Sequence, residues 1–238
     1  DDTRWQEISP PAVWGGYDAF FWFRTRVEVP ERMAGRPVHF KIDLVQIHAE
    51  AFLYVNGAPF HGIDRNHGEI QLSPEAKAGE IFELAIEAYA GRTEERPIFR
   101  EAATIVPDKG VRDVYFSLKN ALEAAQFLPD GHPNKKPLFE TIGDIMAQID
   151  WRAPGSAAFR QSCASTAEAL CETLQKFQSD VPAAVYPVGH AHIDVTWLWT
   201  LEDVKKKCGR TFSTVLRLME RYPEFHFIQS QPQLYQYT

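Results

Sequence analysis

FWFRTRVEVP, residues 21–30, alternates two kinds of side chain: Phe21, Phe23, Thr25, Val27 and Val29 interleave with Trp22, Arg24, Arg26 and Glu28 until Pro30 stops the run. A period of two is the spacing of a strand with one buried face, because successive side chains point to opposite sides of a sheet. The pattern recurs on moving outward. Val38, Phe40, Ile42 and Leu44 alternate with His39, Lys41 and Asp43, while Ala51, Leu53 and Val55 lead into Asn56-Gly57. Asn-Gly favours a tight hairpin, since both residues tolerate positive φ. Residues 69–72 and 80–89 keep the alternation, with Ser73-Pro74 and Gly79 between them. Short strands separated by turn residues predict an antiparallel β-sandwich, jelly-roll-like, over residues 1–107. Trp5, Trp14 and Trp22 are expected in its core or rim, and Asp64, Arg65, Asn66 and His67 in a solvated polar loop.

After about Pro107 the period becomes helical. Residues 114–128 and 138–149 carry apolar side chains three and four apart, with a Pro- and Gly-containing segment between them. A third helix is predicted from Ser156, a plausible N-cap, to about Ser179, with Phe159, Cys163, Ala167, Leu170, Cys171, Leu174 and Phe177 along one stripe. Residues 108–182 thus read as a helical connector. Residues 183–189 then form a short apolar run expected as a strand. Leu201, Val204, Cys208, Phe212, Val215, Leu216 and Met219 make another helical stripe, and residues 225–229 another strand. Strand, helix, strand implies parallel pairing. Residues 183–238 are therefore expected to open a β/α-barrel domain that continues beyond Thr238, because two parallel strands do not make a stable sheet. Without the remainder of a barrel this segment is expected to be loosely held or borrowed into a contact with another chain.

Composition narrows the function. The 238 residues are 45% hydrophobic and 24% charged, as in folded globular proteins. A formal charge of -7 argues against a nucleic-acid backbone or an anionic membrane as the main partner. A neutral substrate fits better. No apolar run approaches the roughly 18 residues of a membrane span. Cys163, Cys171 and Cys208, an odd count without paired spacing, read as reduced core residues.

The chemistry concentrates in GHAHIDVTWLWT, residues 189–200. In an extended chain His190, His192 and Asp194 project to one side. Imidazole and carboxylate side by side suit a first-row divalent metal, zinc in particular. Catalytic zinc takes at least three protein ligands; His192 and Asp194 supply two, and a role for His190 is left open. The competing reading has these groups hydrogen-bonded to one another and to backbone, with Trp197 and Trp199 in a core. Position at a βα junction, where α/β folds place their sites, favours the functional reading. Glu202, Asp203 and residues 205–207 are expected to be a solvated helix face, and Cys208 to be packing.

Together with Lys207, Arg210-Thr211-Phe212-Ser213, Met219-Glu220, Tyr222-Pro223, Phe225 and residues 229–235 (QSQPQLY), this stretch resembles the start of the catalytic domain of glycoside hydrolase family 38, the class II α-mannosidases. The likeness is to the bacterial, fungal and cytosolic branch. Trp22-Phe23-Arg24, Val29-Pro30, Tyr54-Val55-Asn56-Gly57 and Glu87-Ala88-Tyr89 likewise resemble the sandwich that precedes it there. The resemblance implies a retaining, Zn2+-dependent α-mannosidase acting on mannose-containing oligosaccharides and located in the cytoplasm. It implies His192 and Asp194 as metal ligands and Trp197 as the substrate-binding indole beneath the sugar. The family's nucleophile, an Asp that also touches the zinc, matches no motif before Thr238, so no catalytic residue is placed within the chain and these 238 residues alone are expected to be inactive. Homo-oligomerisation of the intact enzyme is left open. Two alternatives remain, an amidohydrolase-type barrel that also carries HxH on its first strand, and a non-enzymatic carbohydrate-binding sandwich.

Overall fold

The computed structural model describes residues 4–46, 49–177 and 184–238. In chain order the elements are β1 (Ala12–Val13), β2 (Phe20–Glu28), β3 (Val38–Asp43), β4 (Glu50–Val55), β5 (Ala58–Ile63), β6 (Glu69–Ser73), β7 (Ile81–Tyr89), β8 (Ile98–Phe99), β9 (Glu101–Ile105), α1 (Lys109–Phe127), α2 (Lys135–Ala147), α3 (Ala157–Leu174), β10 (Gly189–His190), α4 (Leu201–Arg221), β11 (Phe227–Ile228) and α5 (Pro232–Tyr235). They form two compact units, one of Asp1–Val106 with Val185–Thr238 and one of Pro107–Ala184.

In the first unit, β2-β7-β4-β5 and β6-β3-β9 are antiparallel sheets, and β1 pairs with β8. Alternation is what makes two sheets of these strands. Val27, Leu53, Leu84 and Ile86 from one sheet meet Val38, Phe40, Ile42 and Ile70 from the other in one continuous core. Fully burying such a side chain stabilises the fold by roughly 1.5–3 kcal/mol. The hairpin forms as expected, with Asn56 at φ 52° and Gly57 at φ 81°. Strand β2 is an edge strand, so Phe21 and Thr25 stay exposed although they share a face with Val27. Phe21 and Phe23 instead meet the buried Trp14 edge-on, at 5.7 and 5.3 Å between ring centres. The Trp14 indole N–H donates to the Leu44 carbonyl at 2.8 Å. Trp5 and Trp22 lie on the rim, exposed.

The helical unit packs through Val114, Ile145, Ile149, Cys163 and Leu170, and through Ala121, Ala125, Leu138 and Ile142. Asp108 caps α1 by accepting from the Val111 N–H, and Ser156 caps α3 by accepting from the Phe159 N–H, both at 3.1 Å. Cys163 is buried but Cys171 is exposed, which corrects its reading as a core residue. Eight positions at about 100° each carry Cys171 some 80° around α3 from Cys163, off the buried stripe.

Residues 185–238 depart from the sequence reading in two ways. Of the strand expected over 183–189, residue 183 lies outside the described residues, 184–188 make no ladder, and only Gly189, together with His190, pairs, in parallel with Phe227–Ile228. Pro187 has no N–H to give a neighbour. The second difference is a partner that periodicity could not reveal. The stripe Val204, Cys208 and Phe212 of α4 buries against Ile193 and Leu234, while another face of the same helix rests on the sandwich. Thr214 Oγ1 accepts from the Gly62 N–H of β5 at 2.9 Å, and Lys206 reaches Glu87 at 2.5 Å. Arg210 bonds Glu50, Lys207 lies 3.8 Å from the same carboxylate, and Arg217 stacks over Phe60. The solvated-face reading therefore fails at Lys206 and Lys207, whose partners lie more than a hundred positions away in sequence. It holds for Lys205, paired with Glu202 one turn back at 2.7 Å.

Candidate functional site

Beyond His190 the ladder stops but the alternation does not. Ile193 turns into the small core beneath α4, and Ala191 packs at its margin. The buried Gln229 holds the Ala191 carbonyl through its side-chain amide at 2.6 Å, keeping the chain extended. His190, His192 and Asp194 are left facing outward. His192 Nε2 lies 3.1 Å from Asp194 Oδ1, so these two meet as the spacing predicted. His190 turns to Ser230 instead, with Nε2 3.3 Å from its hydroxyl.

Donor spacing tests the pair against a metal. Two ligands of one tetrahedral zinc, each about 2.0–2.2 Å from it, stand roughly 3.3–3.5 Å apart. The His192 nitrogen and the Asp194 oxygen, 3.1 Å apart in a hydrogen bond, stand close to that spacing, and both side chains are solvent-accessible. The pair fits two positions of such a site. Among the described residues no cluster of three or more His, Cys, Asp or Glu side chains could hold an ion.

Residues 195–199 loop from this pair into α4. Thr196 sits at φ 53°, a left-handed conformation that is costly for a β-branched residue. Trp197 projects outward, 69% exposed, and its ring meets that of Trp199 edge-on at 5.6 Å. Trp199 is half-buried and its indole N–H donates to the Asp194 carbonyl at 3.1 Å. Thr200 closes the loop as the N-cap of α4, in a reciprocal capping box with Asp203. Arg92 of the sandwich donates to the Leu198 carbonyl. Its guanidinium is held by Asp18 at 3.1 Å, which also accepts the Tyr89 hydroxyl at 2.6 Å. Those two donors draw the Asp18 carboxyl below its ordinary range, whereas burial and the bond to Asp18 push Tyr89 up to about 12.

Two clefts flank the base of the loop. One of about 350 Å³ is walled by Phe20, Tyr89, Arg92, Trp199 and Lys207, and one of about 340 Å³ by Asp64, His67, His190, Arg210 and Thr214. A larger cavity, about 760 Å³, lies elsewhere, around Lys41, Asp43, Arg65 and Arg100. His192, Asp194 and Trp197 line none of these three; they face solvent directly. The Asp64–His67 loop is internally satisfied rather than reaching for a ligand. Asp64 accepts from the Asn66 and His67 backbone N–H groups at 2.7 and 3.0 Å and lies 2.8 Å from His67 Nδ1. The bond to Asp64 raises the His67 pKa; burial alone would raise that of Asp64, but its bonds to His67 and to backbone outweigh this and lower it. Burial lowers the pKa of neighbouring His61.

The period-two reading gave no hint of Arg92, Asp18, Glu50, Glu87 or Thr214. One signal was present: Gly62, a glycine inside a strand, often marks close approach of other backbone. A Cβ there would lie 3.0 Å from Thr214 Oγ1 and 3.1 Å from the Arg210 carbonyl oxygen.

Fold and site together define a jelly-roll module leading into a parallel α/β element that presents a paired His and Asp. Comparison with known proteins agrees. The family model for the alpha-mannosidase jelly roll domain matches residues 1–124, more than half of the chain, and that for the glycosyl hydrolases family 38 N-terminal domain matches residues 182–238. The chain belongs to the family 38 α-mannosidases. It is similar to alpha-mannosidase G of Dictyostelium discoideum, at 29% identity over 100% of this chain and 22% of that protein. Alpha-mannosidase 2C1 of Homo sapiens is 24% identical over 89% of this chain and 21% of its own length, and an alpha-mannosidase of Saccharomyces cerevisiae is 26% identical over 58% and 13%. The chain thus spans about a fifth of the length of the first two. A solved β-glucuronidase of Ruminococcus gnavus overlaps 31% of the chain at 18% identity and a TM-score of 0.25, too slight a likeness to bear on the fold.

Proposed function

We propose that this chain serves a zinc-dependent, retaining α-mannosidase that removes terminal α-mannosides from glycans, contributing the jelly roll and the first metal-binding turn. The observation that supports it is the approach of His192 Nε2 to Asp194 Oδ1 at the end of a parallel strand, on a chain of this family. His192 and Asp194 would hold the ion. Zinc bound there supplies a Lewis acid for sugar hydroxyls, which helps hold a pyranose ring distorted toward an oxocarbenium-like state.

The chain's own residues do the rest of the positioning. The Gln229 amide keeps the His192–Asp194 segment extended, so both donors stay on one side. The exposed Trp197 indole offers a flat apolar face to a sugar ring, and Trp199 packed against its edge limits its swing. Retaining hydrolysis also needs two carboxyl groups about 5 Å apart. Neither is assigned to these residues, so the 238-residue chain alone is proposed to be inactive, with the nucleophile contributed from outside it.

The test is zinc content and hydrolysis of a chromogenic α-mannoside by the full-length protein, beside its Asp194→Ala variant. Activity should fall by more than about 100-fold, the scale on which transition-state contacts are lost, and zinc should be lost with it. A variant that keeps both overturns the reading.

A further inference from the structure

We infer that Arg92, on the sandwich, is a positioning residue for the loop that carries Trp197 and begins at Asp194; only its consequence for zinc rests on the proposed function. The loop needs outside support. Thr196 occupies a left-handed conformation that a β-branched side chain keeps only where surrounding contacts over-determine it. Two hydrogen bonds brace the loop, one from within it and one from the sandwich. Trp199 reaches back to the Asp194 carbonyl, and Arg92 takes the Leu198 carbonyl from outside.

Arg92 is itself fixed before it reaches the loop. Its Nε donates to Asp18 while Nη1 donates to Leu198, and Asp18 is fixed in turn by the Tyr89 hydroxyl and by its own N–H on the Gly91 carbonyl at 2.8 Å. A planar guanidinium spans a carboxylate and a carbonyl in directions set by its fork; an ammonium on a flexible stem does not reproduce that geometry. Leu198 lies between the two tryptophans. Holding its carbonyl fixes the 198–199 peptide plane from which the Trp199 indole hangs, and through Trp199 it bears on the backbone at Asp194 and on the Trp197 ring packed edge-on against it. A residue 106 positions earlier, in the bend that follows β7, thereby orients the sugar-facing ring and steadies one metal donor.

The experiment labels the chain with 5-fluorotryptophan, assigns the fluorine resonances of its six tryptophans by Trp→Phe variants, and compares Arg92→Met, Arg92→Lys and Arg217→Met. Arg92→Met should shift or broaden the Trp197 and Trp199 resonances and leave that of Trp14 in place, and Arg92→Lys should resemble it. Arg217→Met loses a contact between α4 and the sandwich but touches no loop residue, and should move neither. The inference is overturned if Arg92→Met leaves both loop signals unmoved, or if Arg217→Met disturbs them equally. Should Arg92→Met lose the Trp14 signal, and with it the sandwich, Tyr89→Phe decides: it removes only one bond to Asp18, and should shift the Trp197 and Trp199 signals slightly; no shift overturns the inference. Zinc competition on the full-length protein gives the second readout, with affinity expected to fall about tenfold in Arg92→Met, the scale for partners that orient metal ligands. Unchanged affinity in a zinc-binding protein counts against the inference. Wild-type protein that binds no zinc defeats the proposed function instead, and leaves the fluorine result standing.

Discussion

Thr214→Val measures how firmly α4 is seated on the sandwich. Thr214 is nearly buried, its hydroxyl donates to the Arg210 carbonyl one turn back at 2.9 Å, and the same oxygen accepts the Gly62 N–H. Valine has almost the same shape, so no cavity opens and the helix surface is kept. The Arg210 carbonyl retains its place in the helix, but the Gly62 N–H loses its partner where water cannot easily replace it. Gly62 faces α4 at a distance that leaves no room for a Cβ without displacement, so a bridging water has no space. An orphaned buried N–H costs about 1–3 kcal/mol. At roughly 2–4 °C per kcal/mol for a domain of this size, Tm should fall by about 2–12 °C. Circular dichroism melts give that shift, and trypsin digestion at Lys205, Lys206, Lys207 and Arg210 reports the release of α4 locally. Thr214→Ser keeps the oxygen and should retain most of the stability. The reasoning is refuted if Thr214→Val melts with the wild type and is cut no faster, or if Thr214→Ser is as damaging, which would place the effect in the methyl group. The same digestion bears on the expectation that residues 183–238 are loosely held: slow wild-type cleavage would credit the sandwich with supplying the support that two short parallel strands lack.

Leu234, fully buried among Val204, Cys208, Phe212 and Ile193, should cost about 2–5 kcal/mol on truncation to Ala; a urea midpoint unchanged at constant slope would mean that this small core contributes little. His67 gives a pH test. Its pKa is raised in the folded state by the bond to Asp64, so the stability it adds is present below its unfolded value near 6.5 and is lost as pH rises through the folded value. Melts of wild type and His67→Gln between pH 5 and 9 should therefore differ most at the acidic end and converge at the alkaline end. The difference should be modest because the pair is partly exposed, and a gap independent of pH would exclude the ion pair as its source.

Much of the sandwich was legible because alternation is a local record of burial. Residues 21–30 named their inward face in advance, and Val27 and Val29 are buried as read. Phe21 and Thr25 escape that reading because an edge strand has fewer neighbours, and position within a sheet is not written in the strand itself. The meeting of His192 with Asp194 was legible for the same local reason, since two residues apart in an extended chain means one side. His190 shares that side, but its contact with Ser230 depends on a parallel strand some forty positions later. Lys206 and Lys207 looked like solvated charge because their partners, Glu87 and Glu50, lie far upstream.

The sequence by itself determined the strand faces, the hairpin at Asn56-Gly57, the helical periods and the side-by-side placement of His192 and Asp194, all of them consequences of backbone geometry within a few residues. Tertiary structure alone decided that α4 seats on the sandwich and that Arg92 reaches the loop before it. Periodicity says which face of an element is buried and is silent about what buries it, and charged groups meeting across more than a hundred residues leave no mark on either stretch of chain.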